Sequence, residues 1–210
     1  GSGAFAKKIK AREYTGLEFS AKAKEMGERT GLCIVNETVQ DHATKKSQGY
    51  DVVCSFQVLE HVSDIKGFLK SSVECLRAGG LLFVSVPSAD SFLSIVENGI
   101  LNMPPHHVSW WSDKALAKIA DIFGLEIVKI EHEKLADIHL RWYTKEVVRK
   151  ALKDMVGVRY KMISATLSDR IIGLLADAIG NLYAKGLSDP FPRPNGHSVT
   201  IIYRKPGIVL

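Results

Sequence analysis

Two apolar runs, Asp-Val-Val-Cys-Ser-Phe at 51–56 and Leu-Leu-Phe-Val-Ser-Val at 81–86, stand one helix length apart. No other feature constrains the fold as much. Neither run alternates apolar with polar residues, so each reads as a strand covered on both faces. Between them, Ile65, Phe68, Leu69, Val73 and Leu76 fall on the helical period, which predicts a helix with one buried side. Strand, helix and strand in that order need a crossover, and a crossover of this length gives parallel pairing.

The same pattern extends in both directions. A short helix is expected over 4–11, with Phe5 and Ile9 on one side, and a strand over 14–18. Ser20 is placed to cap a helix ending near Arg29 and Gly31, before a short strand at 33–35. Ser63 is the expected cap of the 65–76 helix, and Gly79-Gly80 its end. Residues 88–111 form a long connection containing Asn102-Met103-Pro104-Pro105. Ser112 then caps a helix with Leu116, Ile119, Ala120 and Phe123 inward, Gly124 ends it, and a strand follows at 125–130. The pattern changes at about 144, from where the chain reads as helical to 185. Ile171, Leu174, Leu175, Ala178, Ile179 and Leu182 make one apolar face, expected to be core. Thr166 and Asp169 resemble a capping box and Gly186 a stop. A Pro-rich turn over 189–194 leads to a last strand at 198–203. The expectation is a core of residues 1–132 plus 197–210, with 133–196 a helical insertion or cap.

Composition sets limits on function. A length of 210 residues suits one α/β domain. No run of 18 apolar residues occurs, so no membrane-spanning helix is expected. Cys33, Cys54 and Cys75 are scattered with no CxxC pair, which favours reduced, buried thiols and a cytoplasmic setting, and gives no metal-ligand spacing. Residues 133–196 hold eleven Lys/Arg against seven Asp/Glu, so four of the five net positive charges lie there. That excess reads as a solvated helix face, or as a surface for an anionic partner.

Ligands in doubly wound folds sit at the carboxyl ends of the strands, so the residues just after each strand are the candidates. They are Glu18 and Phe19, then Glu37, Thr38 and Val39, then Phe56 and Gln57 followed by Val58-Leu59-Glu60-His61, then Pro87 and Ser88. Glu18 stands fifteen residues after Gly3. An acid near that distance from a glycine turn is placed to accept both hydroxyls of a ribose. Gly1 and Gly3 read either as the end of such a turn or as residues foreign to the fold.

Four stretches carry a family likeness: GSGAF before a helix, YTGLEFS, YDVVCSFQVLEHV and LRAGGLLFVSVP. In order and spacing they resemble the class I S-adenosylmethionine-dependent methyltransferases, over about 1–132 and again at 197–204. NMPPHHVSWWS resembles the substrate-side loop of bacterial small-molecule members. The resemblance implies a Rossmann-like, doubly wound, mostly parallel sheet with an antiparallel last strand. It implies S-adenosyl-L-methionine as cofactor and methyl transfer to a small-molecule acceptor, with no metal. By the same resemblance Gly1 and Gly3 would lie under the methionine moiety, Glu18 would hold the ribose, and Phe19 would lie beside the adenine. Thr38 stands where the family often has an Asp, Val39 would pack on the ring, and Phe56 and Gln57 would line the pocket. The strand that normally precedes the glycines has no counterpart here. Its absence predicts two open strand edges, a slot in the core and weak cofactor binding.

Methyl transfer to oxygen or nitrogen often needs a base near neutral pH, which His107 or His106 could supply. Loop packing beside Trp110-Trp111 is the plainer role for the same histidines. A second reading is a non-catalytic module that binds a partner through its basic helical insertion. A nucleic-acid methyltransferase is disfavoured, because no Asn/Asp-Pro-Pro-Tyr/Phe motif follows the 51–56 strand.

Overall fold

The computed structural model describes residues 5–9, 11–29, 31–186 and 193–207. Six strands fall into two sheets. β1 (Thr15–Leu17) and β2 (Cys33–Val35) pair in parallel, joined through α1 (Ala21–Glu28). The larger sheet has the order β3 (Tyr50–Phe56), β4 (Leu76–Pro87), β6 (Asn195–Arg204), β5 (Glu126–Lys134). β3 and β4 are parallel, and β6 runs antiparallel to both neighbours. The expected α/β architecture with an antiparallel last strand is therefore present. So is the split: the sheet is not continuous, and the outer edge of β3 has no strand partner among the described residues.

The split changes how β3 is covered. Val53 packs on the core and Ser55 is buried, but Val52, Cys54 and Phe56 are exposed. The expectation of cover on both faces fails for this strand, whose second face stays largely exposed among the described residues. Phe56 is partly sheltered by the Phe5 ring, with centroids 4.7 Å apart. Cys33 is exposed as well, and only Cys75 of the three cysteines is buried.

One face of the larger sheet holds the main core. Leu82, Val84 and Val86 of β4 and Val199, Ile201 and Tyr203 of β6 have no exposed surface. They meet Leu69 of α3 (Ile65–Cys75) and Leu116, Ile119 and Ala120 of α4 (Asp113–Phe123). Tyr203 donates its hydroxyl to the Leu116 carbonyl at 2.7 Å, tying α4 to β6. The opposite face, with Leu81, Phe83 and Ile202, is only half-buried.

Several helix ends follow the sequence. Ser20 and Ser112 accept from the amides of Ala23 and Ala115, and Gly124 takes a left-handed φ of 62°. The α3 cap is a correction: Asp64, not Ser63, accepts from Gly67 N at 2.9 Å. The helix also stops at Cys75, before the two glycines. Gly79 and Gly80 lie within β4, where the pairing jumps from Tyr50–Leu76 to Val52–Leu81. Gly79 adopts a φ of 78° there, and a Cβ on Gly80 would come within 2.9 Å of the Arg77 carbonyl oxygen. At the amino end, among the described residues of the expected 4–11 helix, only a 3-10 turn, Ala6–Lys8, is formed. α2 (Val39–Lys45) was not anticipated from sequence.

The 144–185 helix is two helices. α5 (Asp137–Met155) starts earlier, and α6 (Leu167–Gly186) begins at the Thr166–Asp169 capping box, in which each residue accepts from the other's amide. α6 packs on α5 along a narrow stripe, Ile172, Ala176, Gly180 and Ala184. The face expected to be core is bare: Leu174 is 71% exposed and Leu182 69%. Helical period located an apolar face correctly but could not say whether anything covers it. The 189–192 part of the Pro-rich turn lies outside the described residues.

Candidate active site

The strand tips carry the expected residues. Glu18 directly follows β1, half-buried; its amide bonds the Val35 carbonyl and its Oε1 accepts from Ser20 N at 3.0 Å. Phe19 beside it is 67% exposed. Both residues directly follow β1, at the strand end where doubly wound folds take ligands. Gly1 and Gly3 lie outside the described residues. Thr38 is the cap of α2: its Oγ1 accepts from Asp41 N and donates to Asp41 Oδ2 at 2.7 Å. Its hydroxyl is committed to the helix start. Val39 is the first residue of that helix and half-buried. Phe56 ends β3, and Gln57 after it turns the chain with a φ of 54°, its side-chain amide 3.5 Å from Ser198 Oγ.

Behind α2 lies a buried cluster that sequence reasoning missed. His42 bonds Glu37 Oε1 at 2.5 Å through Nδ1 and Tyr50 Oη at 2.7 Å through Nε2. Hydrogen bonds from Lys45 and His42 hold the Glu37 carboxyl below its usual range. The network fixes the turn after β2 relative to β3, and an unread helix hid it from sequence.

A cavity of about 140 Å³ opens at the carboxyl end of β4. Pro87, Ser88, Leu93, Asn102 and Ser109 line it, with Trp110, Tyr160 and Met162. Glu18, Phe56 and Gln57 do not line it. It is close to the roughly 150 Å³ that accommodates one benzene ring. Tyr160 and Met162 come from the α5–α6 connection and carried no signal in the sequence. Paired bonds bring that connection here: Asn98 Nδ2 donates to the Ser164 carbonyl at 2.7 Å, and Ser164 N donates back to Asn98 Oδ1 at 2.9 Å.

Next to the cavity, Glu60, His61 and His107 converge. Leu59–His61 forms a 3-10 turn after β3, and Val108 N donates to the Glu60 carbonyl at 2.8 Å, drawing the 103–108 loop onto it. The His61 and His107 rings stand edge to face, 4.9 Å between centroids. His107 Nδ1 bonds Asn102 Oδ1 at 2.8 Å, so Nδ1 carries the hydrogen and Nε2 keeps its lone pair. Burial, with the neighbouring His61 and His106, lowers the His107 pKa, so the ring is neutral near pH 7. His106 is exposed and contributes its backbone carbonyl, which accepts from His61 Nδ1 at 2.6 Å. Glu60 is 1% exposed, and desolvation raises its carboxyl pKa.

Comparison with known proteins identifies the family. A methyltransferase domain model matches residues 1–130. Ubiquinone biosynthesis O-methyltransferase of Salmonella arizonae is 31% identical over 107 residues, covering 43% of this chain and 44% of that protein. The chain thus spans under half the length of the curated relatives it matches. Among solved structures, an S-adenosylmethionine-dependent methyltransferase from Archaeoglobus fulgidus superposes with a TM-score of 0.59 at 16% identity, covering 98% of this chain and 82% of that one. A possible histamine N-methyltransferase from Thermotoga maritima gives 0.59 at 18% identity, covering 98% and 78%. With the family model spanning more than half of its length and the fold in agreement, the chain belongs to the methyltransferase domain family.

Proposed function

We propose that this chain transfers a methyl group from S-adenosylmethionine to a hydroxyl of a small, flat acceptor. The observation that carries the reading is the one-ring cavity at the tip of β4, walled by Trp110, Tyr160 and Met162. Aromatic and thioether walls suit a planar apolar ring. The relatives named as O-methyltransferases support oxygen as the attacked atom.

S-adenosylmethionine supplies an already activated sulfonium methyl when bound. The chain's residues bind, align and manage one proton. Glu18 accepts from the ribose hydroxyls, and Phe19 covers the base. Gly1 and Gly3 are assigned to the methionine end by resemblance, Val39 to the adenine, and Phe56 with Gln57 to the lining of the cofactor pocket, apart from the β4-tip cavity. The residues on the cavity wall exclude water and hold the acceptor in line. His107, neutral and with its Nε2 lone pair directed away from Asn102, accepts the hydroxyl proton in the metal-free protein. His106 has no comparable setting. The segment 133–196 is assigned a capping role, since Tyr160 and Met162 complete the cavity from it.

Calorimetry with S-adenosylmethionine and a radiolabelled-methyl assay over small phenols and catechols test the proposal. The expected result is cofactor binding that Glu18→Ala weakens at least ~10-fold, about 1.4 kcal/mol, and label transfer to at least one phenolic acceptor. Equal binding by Glu18→Ala would overturn the cofactor assignment. The second reading, a partner-binding module without turnover, is favoured by the bare face of α6. Cofactor binding with no label transfer to any acceptor class would select it.

A further inference from the structure

We propose that Glu60, His61 and His107 form a site for a divalent transition-metal ion. Their ligand atoms all lie within 4.8 Å of one another. Each imidazole is already oriented as a ligand. His61 Nδ1 donates to the His106 carbonyl at 2.6 Å, and His107 Nδ1 donates to Asn102 Oδ1 at 2.8 Å. Both Nε2 lone pairs remain for a cation, the arrangement that outer-shell acceptors impose on metal-bound histidines. Glu60 is nine-tenths and more buried, and its Oε2 has no hydrogen-bond partner. A buried carboxylate oxygen left unpaired costs free energy that a cation would remove.

The spacing fits small adjustments. His61 Nε2 stands 3.9 Å from Glu60 Oε1. Ligands on one tetrahedral zinc, with bonds of about 2.0–2.1 Å, lie roughly 3.3 Å apart. The His61 side chain is 47% exposed, so its ring can close that gap and the site is open to entry from solvent. Two imidazole nitrogens and one carboxylate oxygen suit zinc, cobalt(II) or iron(II) rather than magnesium or calcium. Three protein ligands leave at least one position open, as in catalytic rather than structural sites.

Asn102 both holds His107 and lines the cavity, so an open position at this cation lies beside the proposed acceptor site. A hydroxyl bound there would lose its proton to solvent, and His107 would be a ligand instead of a base. That use rests on the methyl-transfer reading; the binding of the cation does not. Sequence reading singled out Glu60-His61 and His107 separately but not their meeting, because 46 positions separate His61 from His107.

The test is titration of the metal-stripped full chain with cobalt(II), read by visible absorption, and with zinc by calorimetry, both without methyl donor or acceptor. One equivalent per chain is expected, with affinity reduced at least ~10-fold in His61→Ala and in His107→Ala. Asn102→Ala, which touches no cation, should weaken binding while leaving one site. Glu60→Gln alters a buried group and is read only beside circular dichroism; the histidine variants decide. Identical titrations for wild type and the His61→Ala/His107→Ala double variant would overturn the site. So would binding lost only on His139→Ala, which removes one of the ring pair formed with His197 beside Glu133. Failure here leaves the methyl-transfer reading intact, since no methyl chemistry is measured.

Discussion

Single residues show where burial and charge conflict. Glu146 is 4% exposed in α5, and its Oε2 lacks a hydrogen-bond partner. Desolvation raises its pKa, with Arg149 and Lys145 opposing only in part. Below both pKa values the carboxyl is protonated in folded and unfolded chains alike and has no effect. As pH rises, the unfolded chain loses its proton first, so this group lowers stability progressively through that window and by its full amount above the folded pKa. Glu146→Gln should therefore gain on the wild type between about pH 4.5 and pH 7.5. Urea unfolding at the two values checks it, and a gain that shrinks with rising pH would refute the assignment. The sequence marked none of this, because Glu146 looks like any exposed helix acid until the fold buries it beside Arg149.

At the scale of elements, the α5–α6 contact depends on one missing methyl group. A Cβ on Gly180 would lie 2.9 Å from Lys145 N and 3.0 Å from its Cα, both backbone atoms of α5. On Gly173, about two turns earlier in the helix, a Cβ would meet only the Arg149 guanidinium at 3.5 Å. Gly180→Ala is thus expected to cost about 1–3 kcal/mol by overpacking. Gly173→Ala should stabilise by about 0.5–1 kcal/mol through helix propensity. Thermal or urea unfolding of the two variants separates the effects, and equal shifts would show that helix spacing does not depend on Gly180. Elements were largely legible: the alternation, both serine caps and the glycine stop after α4 follow from local chemistry. The bare stripe of α6 was not. Its apolar period is a property of the helix alone, whereas burial belongs to whatever faces it.

For the whole molecule, a buried ionic node joins three separate segments. Lys153 Nζ lies 2.6 Å from both oxygens of Glu97 and 2.7 Å from Asp169 Oδ1, and Lys153 is 3% exposed. Glu97 belongs to the 88–111 connection, Lys153 to α5 and Asp169 to the start of α6. With the Asn98–Ser164 bonds it docks the helical pair against the loop that walls the cavity. Lys153→Met would leave the buried Glu97 carboxylate and the half-buried Asp169 carboxylate without their cation, and should cost about 3–5 kcal/mol. A loss under about 1 kcal/mol in urea unfolding would show that the helices are held by packing instead. The order of strands and helices, the family likeness and the acid at the tip of β1 were determined by the sequence alone, because local periodicity and turn chemistry act over a few residues. The tertiary structure alone decided that Tyr160 and Met162 reach the cavity, and that Glu60, His61 and His107 meet. Those are contacts across 46 residues or more, and no local preference of the chain encodes them.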